Sequence, residues 1–311
     1  MSLEIFRTGS SNMSDTVTKF GPVSFIEGKK GGRYPFCHSL YIEEAGVVID
    51  PSSDLDQLQE IARSGQAKSV WLSHWHEDHI MYLDLFEGLP ISMHKADMPP
   101  LTSLETFIDW YFHSGSDLES MREEWRQMML DTFNYKPREI SRFLEDGDII
   151  DLGSVTVEVL HCPGHSPGSL SFYFREPQVL FLGDTDLTPF GPWYGDIYSD
   201  IDAIYRTVAR LRNIPAKVWL TGHEQGIFES DPGSLWDDYL QVIQTREDKL
   251  LDFLVVPRTL EDIAGHWIIY GKPKKPVEMY AFFEKISMSK HLDRLIKNEV
   301  VESDGDQYWL K

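Results

Sequence analysis

The stretch SHWHEDHI, residues 73–80, places three histidines and two acidic residues within eight positions. It follows the apolar run SVWL, residues 69–72, which is typical of a β-strand. Side chains two residues apart in an extended chain point to the same side, so His74 and His76 can bind one metal ion. Asp78 and His79 follow where the chain turns towards a helix, and they can face a second ion. The stretch therefore predicts a metal site at the end of a strand.

Length and composition describe a folded chain with a strong negative charge. The 311 residues suffice for one large domain, or for a domain with a small appendage. A hydrophobic fraction of 41% supplies a packed core and excludes wholesale disorder. The formal net charge of -21 repels phosphate backbones, so nucleic acid is a disfavoured partner and a small-molecule substrate is favoured.

The number of cysteines and the length of the apolar runs indicate where in the cell the protein is expected. Cys37 and Cys162 are too few for a disulfide framework, so free thiols in a reducing compartment are expected. The start, MSLEIFRTGSSNMSDTV, lacks the apolar core of a signal peptide, and no run of about 18 apolar residues predicts a membrane span. We therefore expect a cytoplasmic protein without membrane contact. The sequence leaves a homodimer open.

Strands and helices alternate around the opening stretch. The predicted strands lie at 21–28, 39–50, 69–74, 90–97, 148–162, 169–177, 178–184 and 216–223. Helical spacing predicts helices at 53–65 and 200–213, and a helical insert at about 100–144. From residue 246, helical segments and a hairpin with a turn at Asp304-Gly305 indicate a winged-helix-like module. The predicted organisation is a catalytic domain of residues 1–245 and a small domain of residues 246–311.

Three further candidate ligands lie downstream, each where an apolar strand ends. They are His165 in VEVLHCPGHSPGS, Asp184 in VLFLGDTD and His223 in VWLTGHEQG. Strand ends that share one edge of a sheet commonly carry functional side chains. Imidazole and carboxylate ligands suit zinc, and also iron or manganese. Seven candidates are too many for one tetrahedral zinc, and they are sufficient for two ions that share a carboxylate.

The segments SHWHEDH, HCPGHSPGS, FLGDTD and TGHEQG resemble, in order and context, the motifs of the metallo-β-lactamase superfamily. The resemblance covers about residues 20–235. It implies an α/β fold of the αββα type, in which two mixed β-sheets face each other and helices cover their outer sides. The small C-terminal domain would be attached to this four-layer sandwich.

The resemblance also implies a ligand assignment. The first metal would be bound by His74, His76 and His165, the second by Asp78, His79 and His223, with Asp184 bridging the two. Asp50 matches a buried acid behind the site, whose expected role is to orient a ligand. The implied cofactor is a pair of Zn²⁺ ions, with iron or manganese as alternatives.

The implied chemistry is hydrolysis. A hydroxide bridging the two ions would attack the carbonyl of an ester, thioester or lactone, and Asp78 would orient the nucleophile or accept a proton. The loop after Asp184 is rich in glycine, proline and aromatic residues, which predicts that Trp193 and Tyr194 wall the substrate pocket. Further aromatic residues in the helical insert that could cap the pocket are Trp110, Tyr111 and Trp125.

Three alternatives stay open beside hydrolysis of a small molecule. The tail resembles the winged-helix tail of a small β-lactamase-like branch that includes endoribonucleases, and it is locally basic through Lys272, Lys274, Lys275, Lys285, Lys290, Arg294 and Lys297. The acidic chain argues against RNA. A mononuclear iron dioxygenase would not need His79 and His223, and a regulator without turnover would not need all seven ligands. The histidines expected to be ordinary are His38, His94, His113, His161, His266 and His291.

Overall fold

The computed structural model describes residues 16–112 and 118–311. The strands of its first sheet are β1 (Val17–Phe20), β2 (Val23–Ile26), β3 (Ser39–Ile42), β4 (Val47–Ile49), β5 (Ser69–Trp71), β6 (Ile91–Met93) and β7 (Arg142–Phe143). They lie side by side in this order. Neighbours from β1 to β4 are antiparallel, and those from β4 to β7 are parallel. The first sheet is therefore mixed, as predicted.

The second sheet follows in the chain and is also mixed. Its strands are β8 (Ile149–Asp151), β9 (Thr156–His161), β10 (Leu170–Phe174), β11 (Val179–Phe181), β12 (Val218–Leu220) and β13 (Ile227–Phe228). Their spatial order is β13-β12-β11-β10-β9-β8. Strands β11 and β12 are parallel, and the other neighbours are antiparallel.

The helices form the outer layers. They are α1 (Lys29–Gly32), α2 (Leu55–Ser64), α3 (Glu77–Ile80), α4 (Pro99–Thr102), α5 (Leu104–Tyr111), α6 (Glu119–Asp131), α7 (Ile201–Leu211), α8 (Leu235–Phe253), α9 (Leu260–Ala264) and α10 (Val277–Lys297), with short 3₁₀ turns at Leu83–Phe86 and Lys95–Asp97. No helix in the described ranges has the length and apolar character needed to cross a bilayer.

Alternation along the strands sorts side chains into three apolar clusters. Val47 and Ile49 pack between the two sheets, whereas Val48 packs on the outer side of the first sheet, with α2, α5 and α6. In β11, Phe181 points between the sheets, and Leu180 points outwards to α7, α8 and α10. The layers are thus helices, sheet, sheet and helices. This confirms the predicted αββα architecture.

The helical insert is shorter than predicted. Helices α4 to α6 end at Asp131, and residues 132–141 contain no helix before β7 begins. Asn134 has a positive φ of 50°, and Pro137 follows it, a residue that lacks the amide donor a helix needs. Lys136, which precedes the proline, is also biased away from helical angles. Pro137 is therefore the residue of the sequence that indicates an end of the helical insert before about residue 144.

The tail packs onto the helical side of the second sheet. Its three-stranded sheet has the order β14 (Arg258–Thr259), β16 (Gln307–Leu310) and β15 (Val301–Ser303), and β15 and β16 form the predicted hairpin. The predicted boundary at residue 245 falls inside α8. Leu180 of the second sheet shares one apolar cluster with Leu292 of α10. A separate winged-helix domain stays a prediction.

The two cysteines are buried and unpaired, as predicted. Cys37 lies behind the candidate site, where its Sγ is 3.6 Å from the carbonyl oxygen of Asp50. Burial raises the pKa of the Cys162 thiol to about 11. Both side chains therefore act as small apolar groups of the core.

Candidate metal centre

The seven predicted ligands meet at one edge of the sandwich, between the two sheets. His74 follows β5 of the first sheet, and Asp78 and His79 occupy the first turns of α3. The loops that leave β9, β11 and β12 of the second sheet supply His165, Asp184 and His223 respectively. Side chains that lie far apart in the sequence therefore converge because several strands end at the same edge.

Three imidazole rings form the first group. The Nδ1 atom of His76 lies 2.9 Å from Nε2 of His74 and 2.8 Å from Nε2 of His165. The Nε2 atoms of His74 and His165 are 3.2 Å apart. Three ring nitrogens thus point at a common centre.

The second group comprises Asp78, His79 and His223. The Nε2 atoms of the two histidines are 3.3 Å apart, and Oδ2 of Asp78 lies 3.6 Å from Nε2 of His223. The side chains of Asp78 and His223 are each 12% exposed, whereas that of His79 is fully buried. The second group is therefore open to solvent on the side of Asp78 and His223.

Asp184 lies between the two groups. Its Oδ2 atom is 3.2 Å from Nε2 of His165 and 3.3 Å from Nε2 of His223. Its Oδ1 atom is 3.0 Å from Nε2 of His79. One carboxylate therefore contacts both sets of imidazole nitrogens.

In four of the histidines, the contacts of the ring nitrogen that points away from the centre show which nitrogen can bind a metal. These far nitrogens lie next to carboxylate or carbonyl oxygens, which only accept hydrogen bonds, so they carry the ring proton. The contacts are His79 Nδ1 to Asp50 Oδ2 at 3.0 Å, His76 Nε2 to Asp196 Oδ2 at 3.1 Å, His165 Nδ1 to the carbonyl of Trp193 at 3.1 Å and His223 Nδ1 to the carbonyl of Phe36 at 3.1 Å. In each neutral ring, the nitrogen facing the centre is then the one with a lone pair.

The electrostatics of the site favour a cation. Burial opposes the charged form of Asp184, but His79, His223, His74 and His165 outweigh it and hold the pKa of Asp184 well below its usual value. Burial likewise works against a charge on His223, yet Asp184 and Asp186 raise the pKa of that ring well above its usual value. Without metal, protons supply the positive charge here, so metal binding must release protons.

One oxygen atom of Asp184 gives a further indication that these side chains can bind metal ions. The Oδ1 atom of Asp184 is buried, and its neighbour at 3.0 Å, Nε2 of His79, has no proton to donate in a neutral ring that is protonated on Nδ1. A buried carboxylate oxygen without a partner is costly in a protein interior. A cation between the two groups would satisfy this oxygen together with the converging lone pairs.

Asp50 lies behind the second group, next to His79. Besides its contact with His79, it accepts a hydrogen bond from the backbone N–H of Ser73 through Oδ1, at 2.7 Å. Asp50 is fully buried and adopts a positive φ of 51°, which is uncommon for a residue with a side chain. It therefore links the chain segment that carries His74 to the ring of His79.

Sequence reasoning missed Asp196, the acceptor behind His76. Its Oδ1 accepts from the backbone N–H groups of Tyr198 at 2.8 Å and Ser199 at 2.6 Å, and the side chain is fully buried. The only signal was an acidic residue within WYGDIY, a segment that was interpreted through its aromatic residues. His76 and Asp196 are 120 positions apart, so no local spacing connects them.

Two further acids, the fully buried Asp97 and the half-buried Asp186, brace the loops that carry ligands. Asp97 accepts from the backbone N–H of Gly168 and from Ser166 Oγ, both at 2.5 Å, and so fixes the loop of His165. Burial raises the pKa of Asp97 to about 7. Asp186 accepts from the backbone N–H of His223 at 2.9 Å. Nothing in the sequence distinguished these acids from exposed ones.

The two predicted pocket aromatics point to different sides. The ring of Trp193 lies 5.4 Å from that of His76 and 5.7 Å from that of His165, so it borders the centre. Tyr194 is 1% exposed, and its hydroxyl contacts His291 Nε2 at 2.8 Å, between α8 and α10. Tyr194 thus packs in the core and does not face the centre, because neighbouring residues of an extended loop point in opposite directions.

The aromatic residues of the insert pack mostly against each other. Tyr111 stacks on His76 with a ring separation of 5.7 Å and an angle of 22°. Trp110 contacts Trp75, and Trp125 contacts Tyr111 from the far side. Tyr111 therefore borders a predicted ligand, and Trp125 packs against Tyr111.

The remaining histidines take no part in a possible metal group within the described chain. His38 is buried and bonded to the backbone, and His94 stacks on His161 at 4.1 Å. His266 is exposed, and His291 is buried between α8 and α10. His113 lies outside the described residues.

The tail holds both ends of the loop that contains Trp193 and Asp196, which we term loop 190–199. At its start, Arg246 of α8 donates to the carbonyl oxygens of Phe190 at 2.7 Å and Pro192 at 3.0 Å. At its end, Lys290 of α10 donates to those of Ile197 at 2.9 Å and Ser199 at 2.8 Å. Charged donors therefore fix the loop that positions His76.

A sequence profile described as the metallo-beta-lactamase superfamily matches residues 32–240, which is more than half of the chain and includes all seven candidate ligands. The chain belongs to this superfamily. A metallo-beta-lactamase family protein from Thermus thermophilus has the same fold, with a TM-score of 0.64 and 21% identity. The superposition covers 95% of this chain and 94% of that one, so the shared fold includes the tail.

Two similar proteins have names that state an activity. The acyl-coenzyme A thioesterase MBLAC2 of Gallus gallus is 34% identical over 114 residues, which cover 36% of this chain and 39% of the relative. The hydroxyacylglutathione hydrolase of Francisella tularensis is 24% identical over 183 residues, which cover 58% of each chain. The matched regions thus span between about two fifths and three fifths of these relatives.

Proposed function

We propose that this protein is a hydrolase that binds two metal ions and cleaves acyl thioesters. The observation that carries the proposal is the position of Asp184, whose two oxygens reach ring nitrogens of both ligand groups. A single ion would leave one of these groups without a metal. Two adjacent ions use every side chain of the set.

The assigned roles follow the two groups. His74, His76 and His165 would hold one ion, Asp78, His79 and His223 the other, and Asp184 both. Two bound ions would supply a nucleophile at neutral pH and stabilise the negative charge that develops on the carbonyl oxygen. Nitrogen and oxygen donors in this ratio suit zinc, with iron or manganese as alternatives.

The side chains around the ligands orient them. Asp50 and Asp196 each accept the far N–H of a histidine and so fix the tautomer and the ring plane. Asp78 lies on the open side of the second group, where its carboxylate can orient the attacking water or accept its proton. Trp193 and Tyr111 cover the rings of the first group and limit access of water there.

The relatives favour thioesters within the predicted range of substrates. The names of both relatives describe removal of an acyl group from a thiol carrier, coenzyme A in one and glutathione in the other. The acidic chain supports a small molecule over RNA. The two buried free thiols support a reducing, cytoplasmic location.

The metal count tests the core of the proposal. Elemental mass spectrometry on protein purified without chelator should find about two ions per chain, and His79→Ala should lower this to about one. His266→Ala, which removes an exposed histidine outside the centre, is the matched control and should keep two ions. A single iron that His79→Ala leaves in place would contradict the proposal, and oxygen uptake with thiol substrates would then be measured.

A substrate panel tests the reaction. The metal-loaded protein should hydrolyse acyl thioesters faster than matched oxygen esters and lactones, and it should leave RNA intact. Release of thiol, followed with a chromogenic thiol reagent, measures the rate. RNA cleavage without thioester hydrolysis would replace the proposal by the endoribonuclease alternative.

A further inference from the structure

Three exposed lysines lie close together in the sequence of the tail. Lys272, Lys274 and Lys275, which we term the lysine rim, lie in GKPKKP, the segment that leads into α10, and all three are exposed. Lysines that form ion pairs within residues 16–112 and 118–311 are Lys19, Lys136, Lys285, Lys297 and Lys311. The lysine rim is thus left without a carboxylate partner there, although the whole chain has a net charge of -21.

A row of aromatic rings connects the lysine rim to the ligands. Trp193, which borders His76, donates from Nε1 to the hydroxyl of Tyr270 at 3.4 Å. The rings of Tyr270 and Tyr280 are 5.1 Å apart, and the Lys274 amine lies 5.3 Å and 5.8 Å from their centres. The Lys274 amine is therefore held over two aromatic faces, and contacts through Tyr270 and Trp193 connect it to His76.

A second basic segment lies next to the other ligand group. The carbonyl oxygen of Phe36 contacts Nδ1 of His223, and the Lys30 amine lies 5.7 Å from the ring of Phe36. The hydroxyl of Tyr34 donates to Glu77, at the start of α3. Lysines thus approach the centre from two parts of the chain.

The chemistry of these groups selects a phosphate-bearing ligand. Lysine amines are compact point charges that bind phosphate oxygens, and several neighbouring lysines suit a ligand that carries several negative charges. Arg33, the arginine of this region, already binds both carboxylate oxygens of Glu224, at 2.9 and 3.1 Å. The rest of the acidic chain repels a polyanion, so the local lysines would also steer it to the centre.

We infer that Lys30 and the lysine rim bind the phosphate groups of the thiol carrier, while the row formed by Trp193, Tyr270 and Tyr280 contacts its uncharged part. The substrate class is then an acyl thioester of a phosphorylated carrier. This inference rests on the proposed thioester hydrolysis, because it assumes that the acyl carbonyl lies at the metal centre.

Kinetics on three carriers with the same acyl group test the inference. The variant Lys272→Gln/Lys274→Gln/Lys275→Gln should raise KM for the coenzyme A thioester about tenfold and leave kcat within about twofold, because the lost contacts are remote from the reacting bond. The N-acetylcysteamine thioester, which has no phosphate, should be hydrolysed equally by both proteins. The glutathione thioester, which carries carboxylates, should change less than the coenzyme A thioester.

A control variant with the same loss of charge is Lys68→Gln/Lys217→Gln/Lys249→Gln. Lys68 and Lys217 are exposed residues before β5 and β12, at the strand ends opposite the ligands, and Lys249 is exposed on α8. This control should keep the KM of the wild type. Equal losses on the uncharged thioester, no loss on the coenzyme A thioester, or a larger loss on the glutathione thioester would each overturn the inference.

Direct binding separates this inference from the proposed function. Titration calorimetry of the metal-loaded protein with coenzyme A that lacks its sulfur should show binding that weakens in the lysine-rim variant and with added salt. Such binding without turnover of any thioester would keep the phosphate site and reject the hydrolase. Thioester turnover without binding, and without preference among carriers, would keep the hydrolase and reject the phosphate site.

Discussion

Asp196 accepts a hydrogen bond from Nε2 of His76 at 3.1 Å and is itself held by the backbone of its own loop. The ring is therefore fixed with Nδ1 towards the metal centre. Burial opposes a negative charge on Asp196, but the contact with His76 outweighs it and holds the pKa of Asp196 below its usual value. A ligand and its orienting acid thus come from opposite sheets of the sandwich.

Replacing Asp196 should weaken metal binding without removing a ligand. Asp196→Ala leaves the buried N–H of His76 without an acceptor, and metal affinity should fall by about 10–100-fold. Competition with a chromogenic chelator measures the affinity. Asp237→Ala, which removes an exposed carboxylate paired with Arg212, is the control and should bind metal normally. Equal affinities in the two variants would show that Asp196 does not orient His76.

Replacing Lys290 should lower both stability and metal affinity, because its side chain holds loop 190–199. Lys290→Met keeps the length of the side chain but removes the donors to the carbonyls of Ile197 and Ser199, which should cost about 1–3 kcal/mol of stability. Metal affinity should fall in parallel, and the visible spectrum of the cobalt-substituted protein should change. Lys285→Met, on the same helix, removes only an exposed ion pair with Glu261. A loss of stability with an unchanged cobalt spectrum would restrict Lys290 to a structural role.

Asp184 should affect both ions, in contrast to His79. Because its two oxygens contact both ligand groups, Asp184→Ala should lower metal content below that of His79→Ala, and thioester hydrolysis should fall by several orders of magnitude. Elemental analysis after dialysis at equal free metal compares the variants. Retention of one tightly bound ion in Asp184→Ala, equal to that in His79→Ala, would argue against a shared carboxylate.

His38 should make the metal-free protein sensitive to acid. Burial lowers the pKa of His38 from 6.5 to about 4, and Nδ1 accepts the backbone N–H of Gly28 at 2.9 Å, where a proton would clash. A folded pKa below the unfolded value contributes stability above pH 6.5 that is lost as the pH falls towards 4. The full shift corresponds to about 3 kcal/mol.

The variant His38→Asn tests this origin. Asparagine keeps an acceptor for Gly28 but does not titrate, so urea unfolding in the presence of chelator should depend less on pH between about 7 and 4 than in the wild type. His266→Asn changes an exposed ring and should retain the pH dependence of the wild type. Parallel curves for His38→Asn and the wild type would assign the acid sensitivity to other groups.

The sequence predicted those parts of the site that local pattern determines. His74, His76, Asp78 and His79 were recognisable because one short stretch contains them, and each distant ligand follows an apolar strand. The layers of the sandwich were also predictable, because strands such as β4 send alternate side chains to opposite faces.

What the sequence concealed depends on loops and long-range contacts. Asp196 and Tyr194 belong to one irregular segment, in which no periodicity tells an inward side chain from an outward one. The helical insert was predicted to reach about residue 144, but residues 132–141 contain no helix, because Pro137 lacks the amide donor that a helix interior needs. Tertiary contacts thus determine the side-chain directions in the first segment, and a single proline determines the end of the helix in the second.

The hydrogen bonds from Arg246 and Lys290 to loop 190–199 have a thermodynamic consequence. If a bound ion restrains His76, it also restrains Asp196, the loop and thereby the helices that hold it. Linkage is reciprocal, so the coupling free energy by which a bound ion stabilises α10 is also the free energy by which loosening α10 weakens metal binding. Amide hydrogens in α8 and α10 should therefore exchange more slowly as the centre fills, so hydrogen exchange in the tail should report the occupancy of the centre.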